Sequence, residues 1–204
     1  MVLNDAKQMY YDQLYQVNTN LLSADRDYYQ SMLAEMQYLV YKDSMATEEH
    51  QQALKDYQDN AQQVVDRIKT VESIASSQPY FYETYQDKSG NTMKSLLDTF
   101  NTSYTKWQQA FDPSTGEGDF KTQSQLFLDT REYINTMQDL MVAYTDVSSA
   151  DLTASVQNNI VTTGVIIFVI LLLVGIFSLI ISRYIRRSVL EVTKRINTIA
   201  DNDL

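Results

Sequence analysis

The 204-residue chain has no cysteine, one histidine (His50), two prolines, five glycines and one tryptophan. Without cysteine there is no disulfide, no thiolate metal site and no cysteine nucleophile. A single histidine argues against a histidine-based metal centre and against a Ser-His-Asp triad. No glycine-rich phosphate loop and no nucleophile elbow occurs. Carboxylates are plentiful, but they are spread along helical faces rather than paired, as on a solvated acidic surface. We therefore expect no catalytic residues, no metal ligands, no cofactor and no enzymatic activity. The shortage of proline and glycine favours long helices with short connections.

Charge is missing from one stretch altogether. Residues 160–182, IVTTGVIIFVILLLVGIFSLIIS, contain no ionisable side chain. As a helix this run is ~34 Å long, enough for a hydrocarbon core of ~30 Å. Arg183, Arg186, Arg187, Lys194 and Arg195 follow it, whereas no lysine or arginine lies between Arg131 and the run. The positive-inside rule places residues 183–204 in the cytoplasm and residues 1–159 outside. Residues 1–159 hold 11 basic and 23 acidic residues, and residues 183–204 hold 5 and 3. So acidic an exterior excludes nucleic acid as a partner. An outside domain must be exported, and residues 1–25 carry no signal peptide. We expect an export segment or a first membrane span ahead of Met1 and more chain after Leu204.

Apolar residues recur at steps of three and four through most of the exterior. Helices are predicted at about 3–44, 47–77, 92–111 and 119–159. In the first, one seam reads Tyr10, Leu14, Val17, Leu21, Ala24, Tyr28. A second reads Leu22, Arg26, Tyr29, Leu33, Met36, Val40, which predicts packing against more than one neighbour. Thr47 is the predicted N-cap of the second helix, with Glu48 and Glu49 in its first turn. Pro79 ends or kinks that helix, and Tyr80, Phe81, Tyr82 and Tyr85 are assigned to core packing, with a ligand pocket or an interface as the alternative. The third helix directs Met93, Leu96, Leu97, Phe100, Tyr104, Trp107 and Phe111 inward. The fourth follows a seam of Phe127, Thr130/Arg131, Ile134, Met137, Met141, Tyr144, Leu152 and Val156 and runs without a breaker into the span. The predicted fold is all-α: an antiparallel up-down-up-down four-helix bundle whose fourth helix continues into a transmembrane helix.

Beyond the span, Ile185, Val189, Val192, Ile196 and Ile199 keep a heptad spacing. The segment 182–204, SRYIRRSVLEVTKRINTIADNDL, resembles the first helix of a HAMP linker, ending on its Ile-Ala-x-x-Asp-Leu pattern. It departs from that pattern with Asn202 where glycine is usual and with Ser188-Val189 where Pro-Leu is usual. The exterior is similar to the four-helix-bundle sensor of methyl-accepting chemotaxis receptors. The likeness lies in LLSADRDYYQ at residues 21–30 and in residues 100–107. The resemblance implies a homodimer held through the bundle and the HAMP helices. It implies a small-molecule ligand or a soluble binding protein outside. Inside, it implies a histidine kinase and adaptor reached through a cytoplasmic signalling part. Two alternatives share parts of this pattern: the sensor portion of a two-component histidine kinase, and a membrane-tethered helical stalk without a small ligand.

Arginine interrupts the apolar seams twice, as Arg26 and Arg131. A charge in such a stripe is costly unless it is paired or lies at the edge. Counted from the turn between the first two helices, Arg26 and Arg67 fall at one height. Arg26, Arg67 and Arg131 are therefore candidates to clamp a carboxylate ligand, with Tyr29 and Tyr133 as aromatic walls. The plainer account is that each arginine pairs with Asp25, Asp27 or Asp66 and sets the helix register.

Overall fold

A computed structural model describes residues 13–41, 43, 46–113 and 115–202, with backbone alone for 199–202. Four helices carry the fold: α1 (Tyr15–Tyr41), α2 (Thr47–Ser76), α3 (Met93–Gln109) and α4 (Phe120–Asn202). The chain is all-α apart from a two-residue hairpin that pairs β1 (Phe111–Asp112) with β2 (Glu117–Gly118). By packing it divides into two units, residues 1–150 and 151–204, and α4 contributes to both.

Inside the first unit the buried positions fall on heptad seams. On α1 they are Leu14, Val17, Leu21, Ala24, Tyr28, Ser31 and Glu35. On α2 they are Tyr57, Ala61, Val64, Ile68, Val71 and Ala75, and on α3 Met93, Leu97, Phe100, Tyr104 and Trp107. On α4 they are Gln123, Phe127, Thr130, Ile134, Met137, Met141 and Tyr144. Steps of three and four keep one stripe of each helix turned to the core. Each fully buried large side chain is worth ~1.5–3 kcal/mol relative to exposure.

α1 runs antiparallel to α2 and to the first-unit part of α4. The Ser31 hydroxyl donates to the Tyr57 carbonyl at 3.1 Å, and Gln13 reaches Ser77 at 3.5 Å. The Tyr104 hydroxyl donates to the Ala61 carbonyl at 2.8 Å, tying α3 to α2. α1 meets α4 through Asp25–Arg131 and through the rings of Tyr28 and Phe127. The backbones of α1 and α2 share the most extensive contact in the chain. Small side chains are buried on both helices: Ala24, Ser31 and Ala34 on α1, Ala53 and Ala61 on α2.

Several expectations change. The predicted start of the first helix, with Tyr10, lies outside the described residues, as do Ser44, Met45 and the end of the Asp-Leu motif, Asp203 and Leu204. The second seam of α1 is not buried in the chain: Leu22 is 54%, Tyr29 56%, Leu33 41% and Val40 53% exposed. Asp27, Ser31, Ala34 and Glu35 take the inner positions instead. Thr47 is the first helical residue rather than the cap. Ala46 takes the cap position, and the Glu49 carboxylate accepts its N–H at 3.2 Å. Phe111 leaves α3 and enters the hairpin, where it remains buried. Gly116, at φ +66°, shapes that hairpin, and a Cβ there would stand 2.3 Å from the Tyr38 hydroxyl. The aromatic segment after Pro79 forms one wide turn, with the Tyr85 N–H donating to the Tyr80 carbonyl at 2.7 Å. Phe81 is buried there and packs on Tyr144 (centroids 4.7 Å apart), while Tyr80 is 60% exposed.

In the second unit α4 presents its apolar side chains outward. Its most apolar 18-residue window has a mean hydropathy of 3.3, and none of it is buried. Such a helix is long and apolar enough to cross a membrane.

Candidate functional site

The three predicted arginines are all held by aspartates of α1. Asp27 is fully buried, and its Oδ1 accepts from Arg26 Nε at 2.8 Å and from an Arg26 terminal nitrogen at 2.6 Å. Arg67 comes from α2 to the other carboxylate oxygen, Nε to Oδ2 3.6 Å, an ion pair too long for a hydrogen bond. Arg26 and Arg67 therefore do meet at one height, on opposite sides of one carboxylate. Arg131 clasps Asp25 with two bonds, 2.6 and 2.9 Å. This bond, foremost, raises the arginine's pKa, in spite of partial burial. Tyr29 stands beside it, mostly exposed, with its ring 6.1 Å from that of Phe127. Tyr133 is half-buried against the core. An anionic ligand at these arginines would have to displace Asp25 or Asp27. The geometry thus serves register: α2 and α4 are each pinned to α1 by a charge pair.

A second group of polar side chains lies deeper. Glu35 is fully buried on α1, and neither of its carboxylate oxygens has a hydrogen-bond partner. Gln123 is fully buried on α4, and both its amide atoms are likewise unpartnered. Thr130 Oγ1, Trp107 Nε1 and the Tyr28 hydroxyl complete the group. The Tyr28 and Thr130 hydroxyls lie close enough to perturb one another without hydrogen-bond geometry. A buried polar group without a partner costs ~1–3 kcal/mol, and a buried charge far more. So many together in one core require an explanation.

The heptad register spreads them along the facing seams of α1 and α4 rather than gathering them at one level. Tyr28 lies level with Phe127, their ring centroids 4.6 Å apart. Glu35 is two turns further along α1, and Gln123 is one turn back along α4, which runs the other way. Aromatic rings of the same core touch one another. Tyr28 meets Trp107 edge-on at 4.8 Å and Tyr104 at 5.2 Å. Tyr57 meets Trp107 at 5.6 Å and Phe111 at 4.8 Å.

Electrostatics follow from this setting. Burial pushes the Glu35 carboxyl up to about 8. Burial, above all, also raises the Tyr28, Tyr57 and Tyr104 phenols, and the nearby Glu35 adds to the effect on Tyr28 and Tyr57. Burial thus favours the neutral acid form of Glu35 at neutral pH.

Sequence reasoning missed Glu35 and Gln123, while Tyr28, Trp107 and Thr130 lie on the predicted seams. The α1 seam was followed only to Tyr28, yet the same three-four spacing continues to Ser31, Glu35 and Tyr38. The α4 seam extends backward from Phe127 to Gln123 in the same way. A charged or amide residue on a core seam was the signal. Among the described residues no cluster of three or more His, Cys, Asp or Glu side chains forms a metal centre.

No family model matches this chain, and no curated protein or solved structure matches it.

Proposed function

We propose that this chain is the sensing and membrane-spanning portion of a transmembrane receptor of the chemotaxis type. Residues 1–159 form an antiparallel four-helix bundle outside the membrane. Residues 160–182 cross it, and residues 183–204 begin a cytoplasmic HAMP linker. The observation that carries the reading is the succession of surfaces on the one helix α4. Up to Tyr144 it keeps a buried heptad seam. From Ile160 to Ser182 it is charge-free and faces outward, and from Arg183 it is basic with a new heptad seam. A helix with that order of surfaces joins an aqueous sensor, a bilayer and a cytoplasmic coiled coil.

The chain works as a homodimer under this reading. Support comes from the exposed stripe on α1. Tyr15, Leu22, Tyr29 and Met36 are seven residues apart, with Leu33 and Val40 between and beyond them. Tyr15 is 66% exposed, and the other large members named above are 41–56% exposed, save the half-buried Met36. A heptad stripe that the chain's own helices leave uncovered fits a second copy of α1. A ligand that favours one of two packings of α4 would then bias the HAMP helices and, through them, a histidine kinase and its adaptor.

Because the chain has no native cysteine, topology can be tested by single substitutions in cells. Asp151→Cys should react with a membrane-impermeant maleimide from outside. Lys194→Cys should react only after permeabilisation. The reverse pattern, or equal labelling of both, would overturn the assignment.

A further inference from the structure

Beyond the charge-free run, α4 sorts its side chains by face. At ~100° per residue, Ile185, Val189, Val192 and Ile196 share a sector ~60° wide. Arg183, Arg187 and Lys194 share a second sector, centred about 190° from the first. Arg186 and Arg195 flank the two. All five basic side chains are exposed. No acidic residue occurs between Asp151 and Glu191. Among the described residues none of the five basic side chains is in an ion pair.

An apolar stripe with arginines opposite is ill suited to lie flat on a bilayer. Lying flat would bury the stripe and turn Arg183 and Arg187 into water, away from the headgroups. Standing upright, with the stripe on a partner helix, the same helix directs these arginines sideways. Height decides which of them meet lipid. At 1.5 Å per residue, Arg183, Arg186 and Arg187 stand ~2–8 Å beyond Ser182. The headgroup layer reaches ~5–8 Å beyond the hydrocarbon on each side. Lys194 and Arg195, at ~18–20 Å, stand clear of it. A guanidinium fork pairs with two phosphate oxygens at once, so arginine suits this depth.

We propose that Arg183, Arg186 and Arg187 form a binding site for anionic phospholipids. The site rests on the reading of residues 160–182 as a membrane span and goes beyond it by naming a lipid partner. A zwitterionic headgroup offers the same phosphate, but its ammonium cancels the charge, so the preference is for a net negative headgroup. Lipid held there fixes the depth of α4 in the bilayer. Because Arg183 and Arg187 lie opposite the apolar stripe, the stripe stays free for a partner helix. The lipid charge of the membrane thereby sets how firmly the junction of span and linker is anchored.

The chain has no native cysteine, so Leu179→Cys can carry a single bimane label. Leu179 is 65% exposed and lies one turn before Arg183 on the same face. The full chain is reconstituted in mixed vesicles of phosphatidylcholine and phosphatidylglycerol. In separate samples one lipid or the other is brominated in its acyl chains, and it quenches the label on contact. Per molecule, brominated phosphatidylglycerol should quench about fivefold more strongly, the equivalent of the ~1 kcal/mol a basic side chain gains near an anionic surface. The preference should fall toward unity in ~1 M sodium chloride.

Arg183→Gln, Arg186→Gln and Arg187→Gln together should remove the preference, whereas Lys194→Gln with Arg195→Gln should leave it. Equal quenching by the two lipids in the chain with its arginines intact overturns the site. So does a preference that survives the triple substitution, or one lost with Lys194 and Arg195. Glycerol phosphate at ~10 mM, the range of a weak site, should not displace the lipid. Displacement would assign the arginines to a soluble phosphate and overturn the lipid. A label at Leu172→Cys, in the middle of the span, should be quenched equally by both lipids in every variant. Quenching there by neither lipid overturns the span and the site with it. Quenching there without a preference at Leu179→Cys overturns the site alone.

Discussion

Glu35→Gln tests directly what burial does to the Glu35 carboxyl. The wild-type carboxyl titrates near its ordinary 4.5 in the unfolded chain and at about 8 in the folded one. Between these values the folded state binds more protons than the unfolded state. The contribution of Glu35 is therefore whole below pH 4.5 and is lost as pH rises toward 8. With ~1.4 kcal/mol per pKa unit, Glu35 removes roughly 3 kcal/mol of stability between pH 5 and pH 8. Glutamine does not titrate, so it escapes that loss. Urea unfolding of the full chain in detergent, read by Trp107 emission in sodium buffers, gives the free energies of both proteins at each pH. Other carboxylates contribute equally to both and cancel in the difference. Glu35→Gln should sit within about 1 kcal/mol of wild type at pH 5 and be more stable by roughly 3 kcal/mol at pH 8. A difference that stays constant across this range would refute the burial argument. So would a Glu35→Gln chain that grows less stable than wild type with rising pH.

Three further outcomes follow from the packing. Phe100→Ala opens a hole beside Tyr104, with which its ring stacks at 5.4 Å. It should cost ~3–5 kcal/mol in the same urea assay. A double-mutant cycle on Asp25 and Arg131 should give a coupling of only ~0.5–1 kcal/mol, reduced by salt, because the pair is partly exposed. A much larger coupling would mean that the pair is shielded from water by something besides this chain. Cysteines at Leu22, Tyr29 and Met36 should cross-link between copies in membranes, whereas cysteines at Gln30 and Gln37, off the stripe, should not. Equal cross-linking at both sets would refute the α1 pairing.

The parts of the fold legible in the sequence are those governed by one rule. Along α3, large apolar residues at heptad spacing left a single inward face, and the structure buries all of them. The charge-free run of 23 residues was equally plain, and the structure makes it part of one helix long and apolar enough to cross a membrane. Counting from the α1–α2 turn also brought Arg26 and Arg67 together, since antiparallel helices of equal rise keep register. What stayed hidden involved two rules in conflict. On α1 an apolar stripe and a mixed stripe compete for the core. Hydrophobicity alone favours the stripe of Leu22, Tyr29 and Leu33. The core instead takes the one with Ser31, Ala34 and Glu35, where the Ser31 hydroxyl bonds the Tyr57 carbonyl of α2. A heptad stripe in one sequence does not say whether its partner lies in the same chain or in another copy. Glu35 and Gln123 were passed over because a polar residue is read as surface by default, although both continue their seams in phase.

The alanine-lined contact of α1 with α2 also makes the first unit mechanically uneven. Ala24, Ala34, Ala53 and Ala61 are all buried, and a larger side chain in a well-packed core forces its neighbours to shift. That flank behaves as a fixed plate. The opposite flank, where α3 and α4 rest on α1, is held by rings such as Trp107, Tyr104 and Phe127. Large side chains of that kind can turn about their own bonds and still stay in contact. Variation in sequence, and compliance under load, will therefore concentrate on the α3–α4 flank, while the α1–α2 pair serves as the reference against which it moves.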